Sequence, residues 1–174
     1  MANNKYFYHG FDFNVGYESI MFLRNFLRSG KICCRSGMIC LYQKNDDFDY
    51  NNKDLFFKSA RSGWIDGCVV FVINPDIEAK KFEYEDSLVD EWRTYEDIDF
   101  SKVVGICIPS NFFNCSKKYE RPEDIVKAKG AEKEIKEIIK SYGWFVANSM
   151  TNNFTDKLDD SLKQEKTLKK LINK

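Results

Sequence analysis

His9 is the only histidine in the 174-residue chain. It stands in "NKYFYHGFDF", with aromatic residues on both sides and Gly10 directly after it. An imidazole at such a place has three uses: a metal ligand, one corner of a binding site, or a strand side chain bonded to a backbone carbonyl. A metal set needs companions. The cysteines Cys33, Cys34, Cys40, Cys68, Cys107 and Cys115 contain no CxxC pair, so no zinc site is expected. The acidic run "EYEDSLVDE" lacks the alternating ligands and central glycine of a calcium loop and reads as a solvated loop, so the expectation is no metal. Most of the cysteines lie in apolar stretches and read as buried, reduced thiols. The alternative, a redox or nucleophilic site at Cys33-Cys34-x5-Cys40, has no local histidine or helix N-terminus to activate it. Glycine-rich phosphate loops and the GxSxG elbow are both missing from the sequence. Two carboxylate groupings remain: Glu83-Tyr84-Glu85, and Glu91 in "DEWRTY". In a strand Glu91, Arg93 and Tyr95 share one face. That places Glu91 beside an aromatic residue, and equally beside Arg93 in a routine surface ion pair.

The elements that must hold these residues are readable in outline. "KYFYH" (5–9) is expected as a strand. Residues 18–28 are expected as a helix, with Ile20, Leu23, Phe26 and Leu27 on one face and Gly30 at its C-terminal cap. Short strands are expected at 31–35 and 38–43 around Ser36-Gly37, and the Asn- and Asp-rich stretch 45–54 as a surface loop. "GCVVFVINP" is a fully apolar strand stopped by Asn74-Pro75. Residues 76–88 read as an acidic loop. "DEWRTYEDI" and "KVVGICIP" read as two strands forming a hairpin-like unit. From Pro122 the pattern turns helical, with Ile135, Ile138, Ile139 and Tyr142 on one face and Gly130 splitting or bending the segment. A last amphipathic helix is expected from about residue 155. Strands do not alternate regularly with helices, so the fold class is α+β: a compact mixed or antiparallel β core with an early helix and C-terminal helices. A single domain, 1–174, is expected, β-rich over 1–115 and helical over 116–174.

Three stretches together resemble the ADP-ribosyltransferase superfamily, in the His-Tyr-Glu branch that includes the diphtheria-toxin-like toxins and poly(ADP-ribose) polymerases. "YFYHG" is similar to the first-strand motif. "LRSGKI" is similar to the passage from the first helix to the next strand. "DEWRTYEDIDFSKVVGICIP" is similar to the late strand opened by the catalytic glutamate. The resemblance spans about residues 6–109. It implies an ADP-ribosyltransferase-like fold and NAD as substrate. Glu91 would be catalytic and hydrogen bond the nicotinamide ribose. His9 would bond the adenosine-side ribose, and the Gly10 backbone would pair with the nicotinamide carboxamide. A tyrosine, Tyr42 with Tyr50 as its rival, would stack on the nicotinamide. Glu83-Tyr84-Glu85 is similar to the E-x-E of the arginine-modifying branch. It lies before the strand, without that branch's other motifs, so Glu91 is preferred.

The implied function is mono-ADP-ribosyl transfer from NAD to a macromolecular acceptor, most readily a protein. A compact chain of this kind suggests a toxin or effector. The alternative is a catalytically inactive protein-binding module of similar fold. A weaker option, a small toxin acting on RNA or nucleotides, has against it the single histidine and the balance of 27 basic against 27 acidic residues. That balance leaves no global field for nucleic acid, and no apolar run is long enough to span a membrane. The cysteines point to a reducing, cytoplasmic compartment, whether that of the producing cell or of a cell into which the protein is delivered.

Overall fold

The computed structural model describes residues 6–12, 17–35, 37–43, 68–82, 90–108, 112–113 and 121–147. Among them the chain forms β1 (Phe7–Asp12), α1 (Tyr17–Arg28), β2 (Lys31–Ile32), β3 (Ile39–Gln43), β4 (Cys68–Ile73), β5 (Lys80–Phe82), β6 (Asp90–Thr94), β7 (Ile98–Asp99), a 3-10 turn (Phe100–Lys102), β8 (Val103–Cys107), α2 (Pro122–Tyr142) and β9 (Phe145–Ala147). Seven strands make one sheet in the order β5-β6-β3-β1-β4-β8-β9, while β2 and β7 pair separately. All pairs are antiparallel except β8–β9. Among the described residues the fold is therefore α+β, with a mostly antiparallel sheet and two helices.

The sheet's interior follows from its apolar run. Val69 to Ile73 have no exposed surface. A strand buried on both faces loses the alternation that marks a half-buried one. α1 presents Ile20, Leu23 and Leu27 at helical spacing, and Phe26 from the same helix lies against Phe11 and Phe71. α2 buries Ala128, Ala131, Ile135 and Ile139, a stripe with three- and four-residue steps. Both helices belong to one core with Phe7, Leu41, Phe71, Ile73, Phe100 and Trp144. Tyr8, Tyr42, Val70, Val72 and Cys107 are buried as well, outside that core.

Several expectations need correcting. The two late strands do not form a hairpin. β6 pairs with β3 and β5, whereas β8 pairs with β4 and β9 on the other side of β1. The crossing is anchored by fully buried Phe100, with the Asp99 carboxylate accepting the Ser101 N–H at 2.8 Å. The segment read as an acidic loop contains edge strand β5, whose three residues are all exposed and so carry no apolar signal. Gly130 does not break α2. That helix runs unbroken from Pro122 to the left-handed cap at Gly143. β9, just after that cap, has no counterpart among the expected strands. The helix expected from about residue 155, and the loop 45–54 with Tyr50, lie outside the described residues. No helix among the described residues is long and apolar enough to cross a membrane.

Candidate functional site

His9 and Gly10 lie on β1, Tyr42 on β3 and Glu91 on β6. These are three neighbouring strands, so stretches far apart in sequence meet in one part of the sheet. The register is specific: Tyr8 is opposite Tyr42, and Tyr42 is opposite Glu91. Direct partners put their side chains on the same face. Tyr8, Tyr42 and Glu91 thus form one cross-strand row, with Phe82 of β5 opposite Glu91 at its end.

His9 neighbours Tyr8 in the chain, so its side chain emerges on the opposite face, with Phe7 and Phe11. Its ring meets Phe11 edge-on at 4.6 Å. Its Nδ1 lies 2.7 Å from the Cys40 carbonyl oxygen. A carbonyl only accepts, so Nδ1 carries the proton and, in the neutral ring, Nε2 is the acceptor. This is the bond expected of a structural strand histidine. The sheet brings the backbones of the proposed residues together, while His9 and Glu91 start on different faces.

The seam between β1 and β3 has an unusual feature. β1 is laddered to β4 over six consecutive pairs, but to β3 only at Tyr8–Tyr42 among the described residues. Peptide groups along a strand turn alternately to its two neighbours. The Asn74 N–H donates to the Lys102 carbonyl at 2.8 Å, on the β8 side of β4. Val69, Phe71 and Ile73 therefore turn their peptide groups toward β1, where their register partners are Phe11, His9 and Phe7. Tyr8 and Gly10 turn theirs toward β3. Cys40, which a continued ladder would place opposite Gly10, instead receives the His9 ring. Gly10 is buried, and no strand partner takes its N–H and C=O on the β3 side among the described residues. Gly10 therefore stands just beyond the end of the β1–β3 ladder among the described residues.

The same alternation makes Tyr42–Glu91 a non-hydrogen-bonded pair, the closer kind, with Cα atoms about 4.5 Å apart. Glu91 is 7% exposed. Its Oε1 accepts a hydrogen bond from Arg93 Nε at 2.8 Å, and the Arg93 guanidinium carbon lies 3.5 Å from the centre of the Phe82 ring. The expected Glu91–Arg93 pair thus exists, but part-buried instead of on the open surface. Sequence reasoning missed Arg93 as part of the site and Phe82 as its platform. The i, i+2 spacing was visible, whereas a ring supplied by an edge strand left no trace in the pattern.

The cysteines divide by environment. Cys33, Cys34 and Cys40 are partly buried thiols outside any disulfide, while Cys107 is fully buried. Burial pushes the Cys107 thiol up to about 12, which makes it a poor nucleophile. Among the described residues no three His, Cys, Asp or Glu side chains gather as metal ligands would. No protein-family model matches the chain, and no curated protein matches it either.

Proposed function

We propose that this chain transfers ADP-ribose from NAD to a macromolecular acceptor, most readily a protein, in the manner of the toxin and effector members of the ADP-ribosyltransferase superfamily. The observation that carries the reading is the end of the β1–β3 ladder beside Gly10, among the described residues. A primary carboxamide presents N–H donors and a C=O acceptor, and the Gly10 peptide group, beyond the last described β1–β3 pair, would meet them with a C=O and an N–H. The nicotinamide carboxamide has that chemistry. Glycine keeps the approach free of a side chain. Tyr42 lies on the face onto which such a ring would stack. Glu91, its direct cross-strand partner, would accept a hydrogen bond from the nicotinamide-ribose hydroxyl. The His9 ring, already spanning the seam to Cys40, would bond the adenosine-side ribose through Nε2.

In the transfer the C1′–N bond to nicotinamide breaks, and its electron pair neutralises the pyridinium nitrogen. Positive charge develops on the ribose, where the nearby carboxylate stabilises the transition state more than the ground state. The acceptor's nucleophile then bonds to C1′ and releases its proton to solvent. Incubation with labelled NAD and a lysate or candidate acceptors tests this. Label transfer is expected, or nicotinamide release where no acceptor is present, and Glu91→Gln should abolish both. If neither occurs and NAD leaves the melting temperature unchanged, the reading is wrong.

One pair of observations favours the second reading, a binding module without catalysis. Glu91 is already held by Arg93, and His9 leaves β1 on the other face. A melting shift with NAD but no turnover under any acceptor condition selects it.

A further inference from the structure

The unit formed by Glu91, Arg93 and Phe82 is built in a way that an incidental ion pair is not. Exposed pairs hold two mobile side chains and contribute little. Here the Glu91 side chain is 9% exposed and that of Arg93 17%. The guanidinium is held from two directions: its Nε bonds the carboxylate, and its central carbon sits over the ring of Phe82. The three come from adjacent strands in matched register, Phe82 opposite Glu91 and Lys80 opposite Arg93. Only Oε1 of Glu91 is engaged among the described residues. The two carboxylate oxygens are therefore not equivalent: Oε1 is tied to arginine, on a side chain that leaves β6 on the face shared with Tyr42.

We propose that Arg93 is a positioning residue for the Glu91 carboxylate: it fixes the rotamer through Oε1 so that Oε2 meets the substrate's ribose hydroxyl, with Phe82 as the platform that holds the guanidinium. This rests on the NAD-dependent reading above. It assigns Arg93 no contact with NAD. Positioning is worth much in catalysis because a misplaced group loses the alignment it had without losing its chemistry. Arginine suits the task better than lysine, since Nε lies in a rigid plane that also stacks on an aromatic ring.

The test is steady-state kinetics of nicotinamide release from NAD by Arg93→Ala, Arg93→Lys and Phe82→Ala. Each runs alongside the wild type and Glu91→Gln, with melting temperatures taken with and without NAD. Positioning predicts that kcat falls by about ten- to a hundredfold in Arg93→Ala. KM stays within about threefold, and the NAD-induced melting shift is kept. Arg93→Lys should recover only part of the loss, and Phe82→Ala should show a smaller fall of the same kind. Unchanged kcat in Arg93→Ala overturns the proposal, as does a loss carried by KM and by a vanished melting shift, which would make Arg93 a substrate ligand. Should Arg93→Ala not fold, Arg93→Lys carries the comparison, and wild-type kcat in that variant overturns the proposal equally. A wild type that neither shifts with NAD nor releases nicotinamide sinks the functional reading itself. That outcome is told apart from the others because it precedes any comparison of variants.

Discussion

The carboxylate of Glu91 shows how burial changes the meaning of a residue. Read as an exposed strand glutamate, it would be removable at little cost to stability. It is instead buried and paired, so Glu91→Ala leaves the Arg93 guanidinium half-buried without this partner. The expected cost is about 1–3 kcal/mol, between that of surface and fully buried pairs. Glu91→Gln keeps the shape and an acceptor oxygen, and is the better variant for kinetics. Urea midpoints of the two variants should separate in that order; equal midpoints would mean that the pair adds nothing. His9 has a similar double character. His9→Ala removes the donor to the Cys40 carbonyl, which should cost about 1 kcal/mol or more. Any loss of NAD binding must be read after that cost is measured. What was legible at this scale was local: the i, i+2 relation of Glu91 and Arg93, and the readiness of a strand histidine to find a carbonyl. Tyr42 lying directly opposite Glu91 was not legible, because register is decided by turns and packing between the strands and no residue announces it.

Elements were legible where their signal is internal to the segment. α1 shows its buried stripe at helical spacing, and α2 announces its start with Pro122, Glu123 and Asp124. β4 is an uninterrupted apolar run. The short edge elements escaped for the opposite reason. β5 is Lys-Lys-Phe with all three residues exposed, and β9 has three residues, so neither carries a period to read. The two glycines of α2 show that one residue type acts with opposite sign along one element. Gly130 sits in the helix interior, and a Cβ there would meet nothing within 4 Å. Gly130→Ala should therefore stabilise by about 0.5–1 kcal/mol, through lower entropy of the unfolded chain and better helix propensity. Gly143 has φ 66°, and its N–H reaches the carbonyls of Ile139 and Lys140. Gly143→Ala has equal space but the wrong backbone, and should destabilise by about 1 kcal/mol. Urea melts of the two variants should move in opposite directions. Movement in the same direction would contradict a helix that continues through Gly130 and stops at Gly143.

At the scale of the whole molecule, the sheet order could not be read from the chain because strands close in sequence are sent to opposite sides of β1. The hairpin reading of 90–109 failed on that point: both segments are strands, but each finds its neighbours elsewhere. The assembled molecule also has a pH response that no single segment shows. Asp97 is held below the ordinary carboxylate range, first by its hydrogen bond to Lys31 and then by the Cys34 N–H. Asp99 is held low by its hydrogen bonds from Ser101. Groups lowered by folding contribute stability above their unfolded value and lose it as pH falls, so this contribution fades below about pH 4. On the alkaline side the sign reverses. The raised pKa of Lys31, held chiefly by its hydrogen bond to Asp97, contributes stability that is full below the unfolded value and is lost as pH rises. Cys107 acts over a wider window. Its thiol, pushed up to about 12 by burial between β4 and β9, stays protonated in the fold where the unfolded chain ionises from about 8.5. The folded state then binds more protons than the unfolded one, and stability falls as pH climbs through that interval. One proton gives a limiting slope of about 1.4 kcal/mol per pH unit. Urea midpoints of the wild type should therefore be level between about pH 6 and 8 and fall between about pH 9 and 11. Cys107→Ala, though less stable at neutral pH for its lost volume, should lose most of that alkaline slope. If the variant keeps the wild-type slope, the buried thiol is not its source, and Lys31 with its Asp97 partner becomes the group to change next.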